Sequence, residues 1–422
     1  MLFLFTLLLI FILFARVIED KIKIPTTLSL IVLSFLFSYL FPDISTISND
    51  EFDEILYLML PVILLPDVLN ISTNELKKYY KEILYLALFA VIGSIIIALF
   101  ITPYLLPQHQ FTIGMLIALF SMLMATDAIT VTGIMSKFTL PHRLKIYAEA
   151  ESLFNDVTAL IIFYFIAIPM ISGKSFTLVD INFTLVKVLF LSITIGLIVA
   201  YTGYFFIKVV HKSFDQLIVV YLIVVVSFFI AEHFKIAGIL SIVSSVLTLK
   251  YLVKNDLSHK KYIFKEHNHL NSSSFFLQNV PALTKKHYRE YVKESEYIGI
   301  FANAIVFSIL ATMIDLFSLQ KYFKEIIIVF LLTTLIRVFF ISIMTWKLHL
   351  PARWIVALTF AGMKGALAII MVHSLPDNFV YKEMFNAIVI GNVLLSTFLY
   401  TIFLMIHIRN NKKNYNDDIN NK

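Results

Sequence analysis

Apolar runs of bilayer-crossing length follow one another along almost the whole sequence, and they leave one fold class open. Thirteen such segments can be marked, at roughly 2–16, 25–41, 55–72, 83–106, 111–136, 146–171, 183–209, 216–233, 236–252, 297–314, 323–345, 352–374 and 383–408. Most reach the length of about 20 residues that a helix needs to cross a hydrocarbon core ~30 Å thick. A soluble chain of 422 residues with 59% hydrophobic and 15% charged residues could not cover its surface with polar groups. The expected fold is therefore an all-α polytopic membrane protein with about 13 transmembrane helices. Helices 1–9 fall within residues 1–252, a basic loop occupies 253–296, helices 10–13 lie within 297–408, and a short tail runs from 409 to 422. Residues 2–15 have no basic n-region or small-residue cleavage site, so they read as the first span and not as a signal peptide. Cysteine is absent, which excludes disulfides and thiolate metal sites.

Lys and Arg outnumber Asp and Glu by 34 to 28. In a membrane protein that excess bears on orientation and gives no evidence for nucleic acid. The first loop holds Arg16, Lys21 and Lys23, whereas the second (Asp43, Asp50, Glu51, Asp53, Glu54) has no basic residue. Lys77, Lys78 and Lys81 follow in the third, and the fourth, around Pro107, has none. The alternation continues with Lys137, Arg143 and Lys145, then a lone Lys174, then Lys208 and Lys212. The 253–296 loop, Lys347 with Arg353, and the tail from Arg409 are also basic. The positive-inside rule places the basic loops in the cytoplasm, with the N-terminus outside and the C-terminus inside. Thirteen spans require termini on opposite sides, and the charges agree. The 253–296 loop carries His259, His267, His269 and His287 around Asn271 to Ser274. A solvated linker accounts for these better than a metal site or pH sensor, since no further ligands have site-like spacing.

The stretch from Ser121 to Phe165 carries acids where hydrocarbon is expected. Asp127 sits in one apolar segment, between Thr126 and the pair Thr130 and Thr132, and Glu151, Asn155 and Asp156 lie in the next. An ionised carboxylate inside a bilayer costs several kcal/mol, so each marks a functional site by default. On a helix, residues four apart share a face, which stacks Ser152 with Asp156 and Glu151 with Asn155. Asp156 and Ser152 form an oxygen-rich surface suited to a desolvated hard cation, and Asp127 with Thr126 can supply facing oxygens. A capping role is credible for Glu149, near the expected helix start, and poor for Asp156, about two turns further in.

At these residues the chain resembles the monovalent cation:proton antiporters, in their NhaP-like sodium/proton exchanger branch. Thr126-Asp127 is similar to that family's TD motif, and the run from Glu149 to Asp156 (EAESLFND) to its EGESLxND motif, with Ala150 in place of Gly. The run AGMKGA, from Ala361 to Ala366, is similar to its GLRGA stretch, with Lys364 in place of Arg. Gly362 and Gly365 there permit helix interruption and close packing, and Lys364 would neutralise a negative helix end and tune the site. Arg337 lies mid-span, where an unpaired guanidinium is prohibitive, and the resemblance implies that its partner is Glu151 in a structural ion pair. LPVILLPDVLN, from Leu60 to Asn70, is similar to the family's LPPLLFEAGL, whose acid contributes to the ion path. Ungapped, that acid falls on Pro66, and the carboxylate available is Asp67, one residue or about 100° further round a helix. Either Pro66 redirects the helix so that Asp67 points inward, or the acid is missing. Asn303, His373 and Asn392 read as hydrogen-bond partners between helices.

The resemblance implies inverted-topology repeats with the fifth and twelfth spans interrupted and crossing, and a homodimer in a bacterial inner membrane. It implies a transporter and not an enzyme, with no cofactor, exchanging Na⁺ or Li⁺ for H⁺. Na⁺ would bind at Asp156, Asp127 and Ser152 with help from Thr126, and Asn155 would stabilise the site without charge. The electrogenic branch has two adjacent aspartates where this chain has Asn155-Asp156, so one cation for one proton is expected. A K⁺/H⁺ antiporter shares every motif. An ion channel or membrane receptor would also tolerate buried acids, but would need a pore loop or sensory domain.

Overall fold

The computed structural model describes residues 2–22, 26–41, 49–174, 178–210, 212–266, 285–312, 314–376 and 378–420. Among these there is no β-strand. The helices run in order α1 (Leu2–Ile22), α2 (Thr26–Leu40), α3 (Asn49–Asn70), α4 (Thr73–Lys78), α5 (Tyr80–Leu105), α6 (Ile113–Met124), α7 (Ala128–Ser136) and α8 (His142–Ile171). They continue with α9 (Leu178–Val209), α10 (Ser213–His233), α11 (Gly238–Glu266), α12 (Lys285–Thr312), α13 (Leu316–Lys321) and α14 (Phe323–Lys347). The last four are α15 (Arg353–Phe360), α16 (Ala366–His373), α17 (Lys382–Asn410) and α18 (Lys412–Asn420). Among the described residues α5, α8, α9, α10, α14 and α17 are long and apolar enough to cross a membrane. Shorter apolar helices occupy Leu28–Leu40, Leu58–Asn70 and Ile113–Met124. Three of the long helices contain a π turn, at Tyr85–Ala90 in α5, Phe163–Ala167 in α8 and Ser396–Tyr400 in α17.

The chain forms two compact units. The first comprises Met1–Leu56, Glu75–Asn182 and Asn303–Lys422. Its core gathers Tyr147 from α8, Phe330 from α14, Trp354 and Leu358 from α15, and Tyr400 from α17. Helices in lipid gain nothing from hiding apolar surface from water, so this interlocking of large side chains is what holds them together. At one end of the unit the basic Lys137–Lys145 loop is tied down by acids from three other helices. Lys137 Nζ meets Glu19 Oε1 at 2.6 Å, Arg143 meets Glu82 Oε1 at 3.5 Å, and His142 pairs with Glu75. The short tail is folded too. On α18, Tyr415 is fully buried, and Asp418 accepts from Arg353 Nε at 3.0 Å and Trp354 Nε1 at 3.2 Å, so the tail clasps the start of α15.

The second unit comprises Tyr57–Asn74 and Phe183–Ala302. Here α3 runs through Pro61 and Pro66 without ending, so Pro66 does not break the helix before Asp67, which is partly buried. A Cβ on Gly299 of α12 would lie 2.6 Å from Pro66 Cγ, so only glycine allows the two helices to pass this closely. The orphan carbonyls at the end of α3 are claimed by Lys250 of α11. Its Nζ donates to Val68 O at 3.1 Å, to Leu69 O at 2.6 Å and to Ile71 O. The polar 253–296 insertion begins and ends as helix, in α11 to Glu266 and in α12 from Lys285. His267, His269 and the run Asn271 to Ser274 lie outside the described residues, as do Lys23 and Asp43.

Candidate functional site

Two helices of the first unit are interrupted, and the interruptions meet. The first lies between α6 and α7, where Ala125 and Asp127 are extended. An Asp three residues before a Thr favours a fresh helix start, and Asp127 supplies it as the N-cap of α7. Its Oδ1 accepts from the Thr130 amide at 3.2 Å and its Oδ2 from Thr130 Oγ1 at 2.5 Å. The second interruption runs from Ala361 to Gly365, between α15 and α16. There the Asp127 amide donates to Met363 O at 2.7 Å, joining the two breaks. A Cβ on Gly365 would lie 2.9 Å from Asp127 Cβ, and one on Gly362 would overlap the Arg337 guanidinium. Lys364, 5% exposed, sends Nζ 2.8 Å to Leu123 O, one of the orphan carbonyls at the negative end of α6. Its amide donates to Ser396 Oγ at 3.0 Å.

Helix α8 passes beside the crossing. Asp156 Oδ1 accepts the Thr126 amide at 2.9 Å, and Thr126 Oγ1 donates to Ser152 Oγ at 2.9 Å, so the break in the first helix is bonded directly to the Ser152–Asp156 face. The adjoining face holds a separate network. Arg337 on α14 grips both Glu151 oxygens, at 2.5 and 2.8 Å, and also donates to Thr359 O at 3.1 Å and Leu358 O at 2.9 Å. One guanidinium thus neutralises a buried acid and closes the end of α15. Asn155 Nδ2 donates to Glu151 Oε1 at 2.8 Å, which leaves Asn155 Oδ1 buried with no donor among the described residues. A cavity of about 30 Å³ lies between Thr126, Glu151, Asn155, Arg337, Gly362 and Lys364.

The family profile for the transmembrane sodium/hydrogen exchangers matches residues 4–407. The chain belongs to the sodium/hydrogen exchanger family. It is an integral membrane protein of that family, and its relatives include the Na(+)/H(+) antiporter NhaH of Halobacillus dabanensis. That protein is 25% identical over 360 residues, which cover 83% of this chain and 79% of the relative. The low-affinity Na(+)/H(+) antiporter NhaS1 of Synechocystis is 23% identical over 390 residues, covering 88% and 67%. Among solved structures, the sodium proton antiporter MjNhaP1 of Methanocaldococcus jannaschii has the same fold, with a TM-score of 0.72 at 17% identity over 94% of this chain and 98% of that one.

In this exchanger-family chain, Thr126, Asp127, Glu151, Ser152, Asn155, Asp156, Arg337, Gly362, Lys364 and Gly365 come together in the first unit. Asp67 belongs to the second unit. Two expectations need correcting. Glu149 is not near a helix start, because α8 begins at His142 and Glu149 lies about two turns in. Asn303 is buried, but its Nδ2 meets no acceptor among the described residues, whereas Asn392 Nδ2 bonds Ile388 O of its own helix at 2.8 Å and Ile326 O of α14 at 3.5 Å. Thr130 stands beside Asp127 in the sequence with no role evident there, and Ser396 is not marked at all. The spacing of Asp127 and Thr130 is a capping signal that could have been read, whereas nothing local marks Ser396 as the acceptor for Lys364.

Proposed function

We propose that this chain is a secondary antiporter exchanging Na⁺ or Li⁺ for H⁺, one for one, with cation and proton competing for Asp156. The observation that carries the reading is the bonding of Asp156 and Ser152 to Thr126 inside an interrupted helix. A carboxylate buried there has few ways to be satisfied: a proton, or a cation stripped of most of its water. Ser152 Oγ and Thr126 Oγ1 add hydroxyl oxygens, and Asp127 brings a second carboxylate to the crossing. Binding energy for a hard cation comes from such oxygens. Rocking of the helices around the fixed site would then carry whichever ligand is bound across the bilayer.

The orientation proposed places the Lys137–Lys145 loop and the tail in the cytoplasm of a bacterial cell, with the N-terminus outside. A homodimer belongs to the same reading. The remaining spans of a thirteen-helix, inverted-repeat arrangement, and an inward-facing role for Asp67, are part of the proposal as well.

The deciding experiment measures proton flux by fluorescence dequenching in everted vesicles, with Na⁺, Li⁺ and K⁺ added separately. Dequenching on Na⁺ and Li⁺ is expected. A response to K⁺ alone would assign a K⁺/H⁺ antiporter, and a current without proton coupling would assign a channel.

Charge balance gives a sharper check. Glu151 is held by Arg337, Lys364 by a helix carbonyl, Asp127 by its cap bonds to Thr130, and Asn155 is neutral, so in this reading Asp156 is the group that changes its load. Each turn then moves one positive charge in each direction. A membrane potential, worth ~2.3 kcal/mol per charge per 100 mV, has no net charge to act on. In proteoliposomes a potential imposed with K⁺ and valinomycin should leave Na⁺-driven proton flux unchanged. Flux that scaled with the potential at balanced ion gradients would rule out one-for-one exchange and point to Asp127 or Asp67 as a second titrating group.

A further inference from the structure

Glu149 has no part in the network above, yet its position on α8 is informative. At about 100° per residue, Lys145, Glu149, Ser152 and Asp156 fall within an arc of about 60°, a single stripe along the helix. Burial increases along it: His142 at the helix start is exposed, Lys145 and Glu149 are partly exposed, and Ser152 and Asp156 are 2% and 6% exposed. With 1.5 Å of rise per residue, Glu149 lies about 10 Å from Asp156 along the helix axis.

The bases that could neutralise Glu149 are engaged elsewhere. Lys145, one turn before it, donates to Phe138 O at 3.2 Å. His142, two turns before it, pairs with Glu75 of α4. Among the described residues, Lys145, His142 and Glu75 are titratable groups whose fields bear on Glu149. Among the described residues none forms an ion pair or hydrogen bond with its carboxylate, and the N-cap position of α8 is Pro141, eight residues earlier, so Glu149 caps nothing. A partly buried acid without a partner is costly to keep charged unless a cation comes to it, the alternative being to take up a proton.

We propose that Glu149 is an outer binding site for monovalent cations, a staging carboxylate that captures the ion at the cytoplasmic mouth and passes it along the α8 stripe to Ser152 and Asp156. The proposal rests on the antiporter reading above. An acid at this distance raises the local cation concentration from one side of the membrane, as fixed charges lining a narrow passage do. Its effect falls on the concentration dependence of exchange from that side, and the translocating step at Asp156 is untouched.

The test compares Glu149→Gln with the unaltered protein in everted and right-side-out vesicles, with Na⁺ as the probe and proton flux as the readout. The half-saturating Na⁺ concentration should rise about three- to tenfold in everted vesicles alone, with the maximal rate kept, as expected for loss of an electrostatic focus. Glu149→Asp retains the charge and should retain the wild-type value. In the unaltered protein, raising choline chloride shortens the screening length from about 30 Å at 0.01 M to about 8 Å at 0.15 M, and should raise the half-saturating Na⁺ concentration in everted vesicles. That arm needs no variant to fold. A half-saturating concentration that is unchanged by Glu149→Gln, shifted equally from both faces, shifted only in right-side-out vesicles, or indifferent to choline overturns the proposal. Absence of any cation-driven proton flux from the unaltered protein would instead remove the antiporter reading beneath it.

Discussion

Asp156→Asn is expected to reduce cation-driven proton flux to that of empty vesicles while the protein still folds and inserts. The Thr126 amide that Asp156 Oδ1 accepts can donate equally to an asparagine oxygen. A charge-assisted bond becomes a neutral one, but a buried charge is removed with it, so the net change in stability should stay within about 1 kcal/mol. Asp127→Asn should abolish flux as well, and here the geometry makes the result easy to interpret. Asp127 is the N-cap of α7, and Asn caps helices as well as Asp does. The substitution therefore spares the cap and removes the charge, with the Thr130 hydroxyl turning to accept from the new amide where it had donated to Oδ2. Flux assays and thermal melts of both variants in detergent provide the check. Wild-type exchange by Asp127→Asn would reduce its carboxylate to a helix cap, and wild-type exchange by Asp156→Asn would end the competition mechanism.

The second large effect is on stability. Removing one member of a buried ion pair strands the other, at a cost of about 3–5 kcal/mol, whereas removing both costs less. Glu151→Gln and Arg337→Ala should each lower the melting temperature markedly, and the double variant should recover part of the loss. The two single losses should also differ. Arg337 additionally holds Thr359 O and Leu358 O at the end of α15, so its truncation strips Leu358 O of its donor, leaves Thr359 O with backbone donors alone, and should be the worse of the two. Melting followed by intrinsic fluorescence, arranged as a double-mutant cycle, measures the coupling. Strictly additive losses would mean that the pair is not energetically linked.

Much of this site could be read from the chain because its chemistry is locally encoded. Ser152 with Asp156, and Glu151 with Asn155, sit four apart on one helix, and an acid inside an apolar run stands out. Arg337 called for a partner by the same logic, whereas Lys364 was placed against a negative helix end only through the resemblance of AGMKGA to the family's GLRGA stretch. What could not be read is which backbone groups the breaks release, and toward what. Asp127 and Thr126 together were expected to face Asp156 and Ser152, but Thr126 supplies hydrogen bonds to those two, while the Asp127 carboxylate turns to Thr130. That choice depends on the extended backbone at Ala125 and Asp127, which periodicity does not describe. Lys250 was passed over for a similar reason. A cation near the end of an apolar segment looks like a boundary residue, and its acceptors are carbonyls nearly two hundred positions away.

The three π turns carry a consequence for how such a chain changes length over generations. A π turn is an α-helix that has absorbed one extra residue in a local bulge. Each lies close to the crossing or on its helices: Leu86 and Ala90 border the cavity, Ser396 receives the Lys364 amide, and Phe163–Ala167 follows Asp156 on α8. Deleting one codon inside a bulge lets the helix rewind to regular α geometry with the flanking residues still on their faces. The same deletion one turn away would rotate everything beyond it by about 100° and turn a buried face toward lipid. At these bulges a membrane helix can gain or lose a single residue, and elsewhere along the same helix the reading of faces has to stay in step.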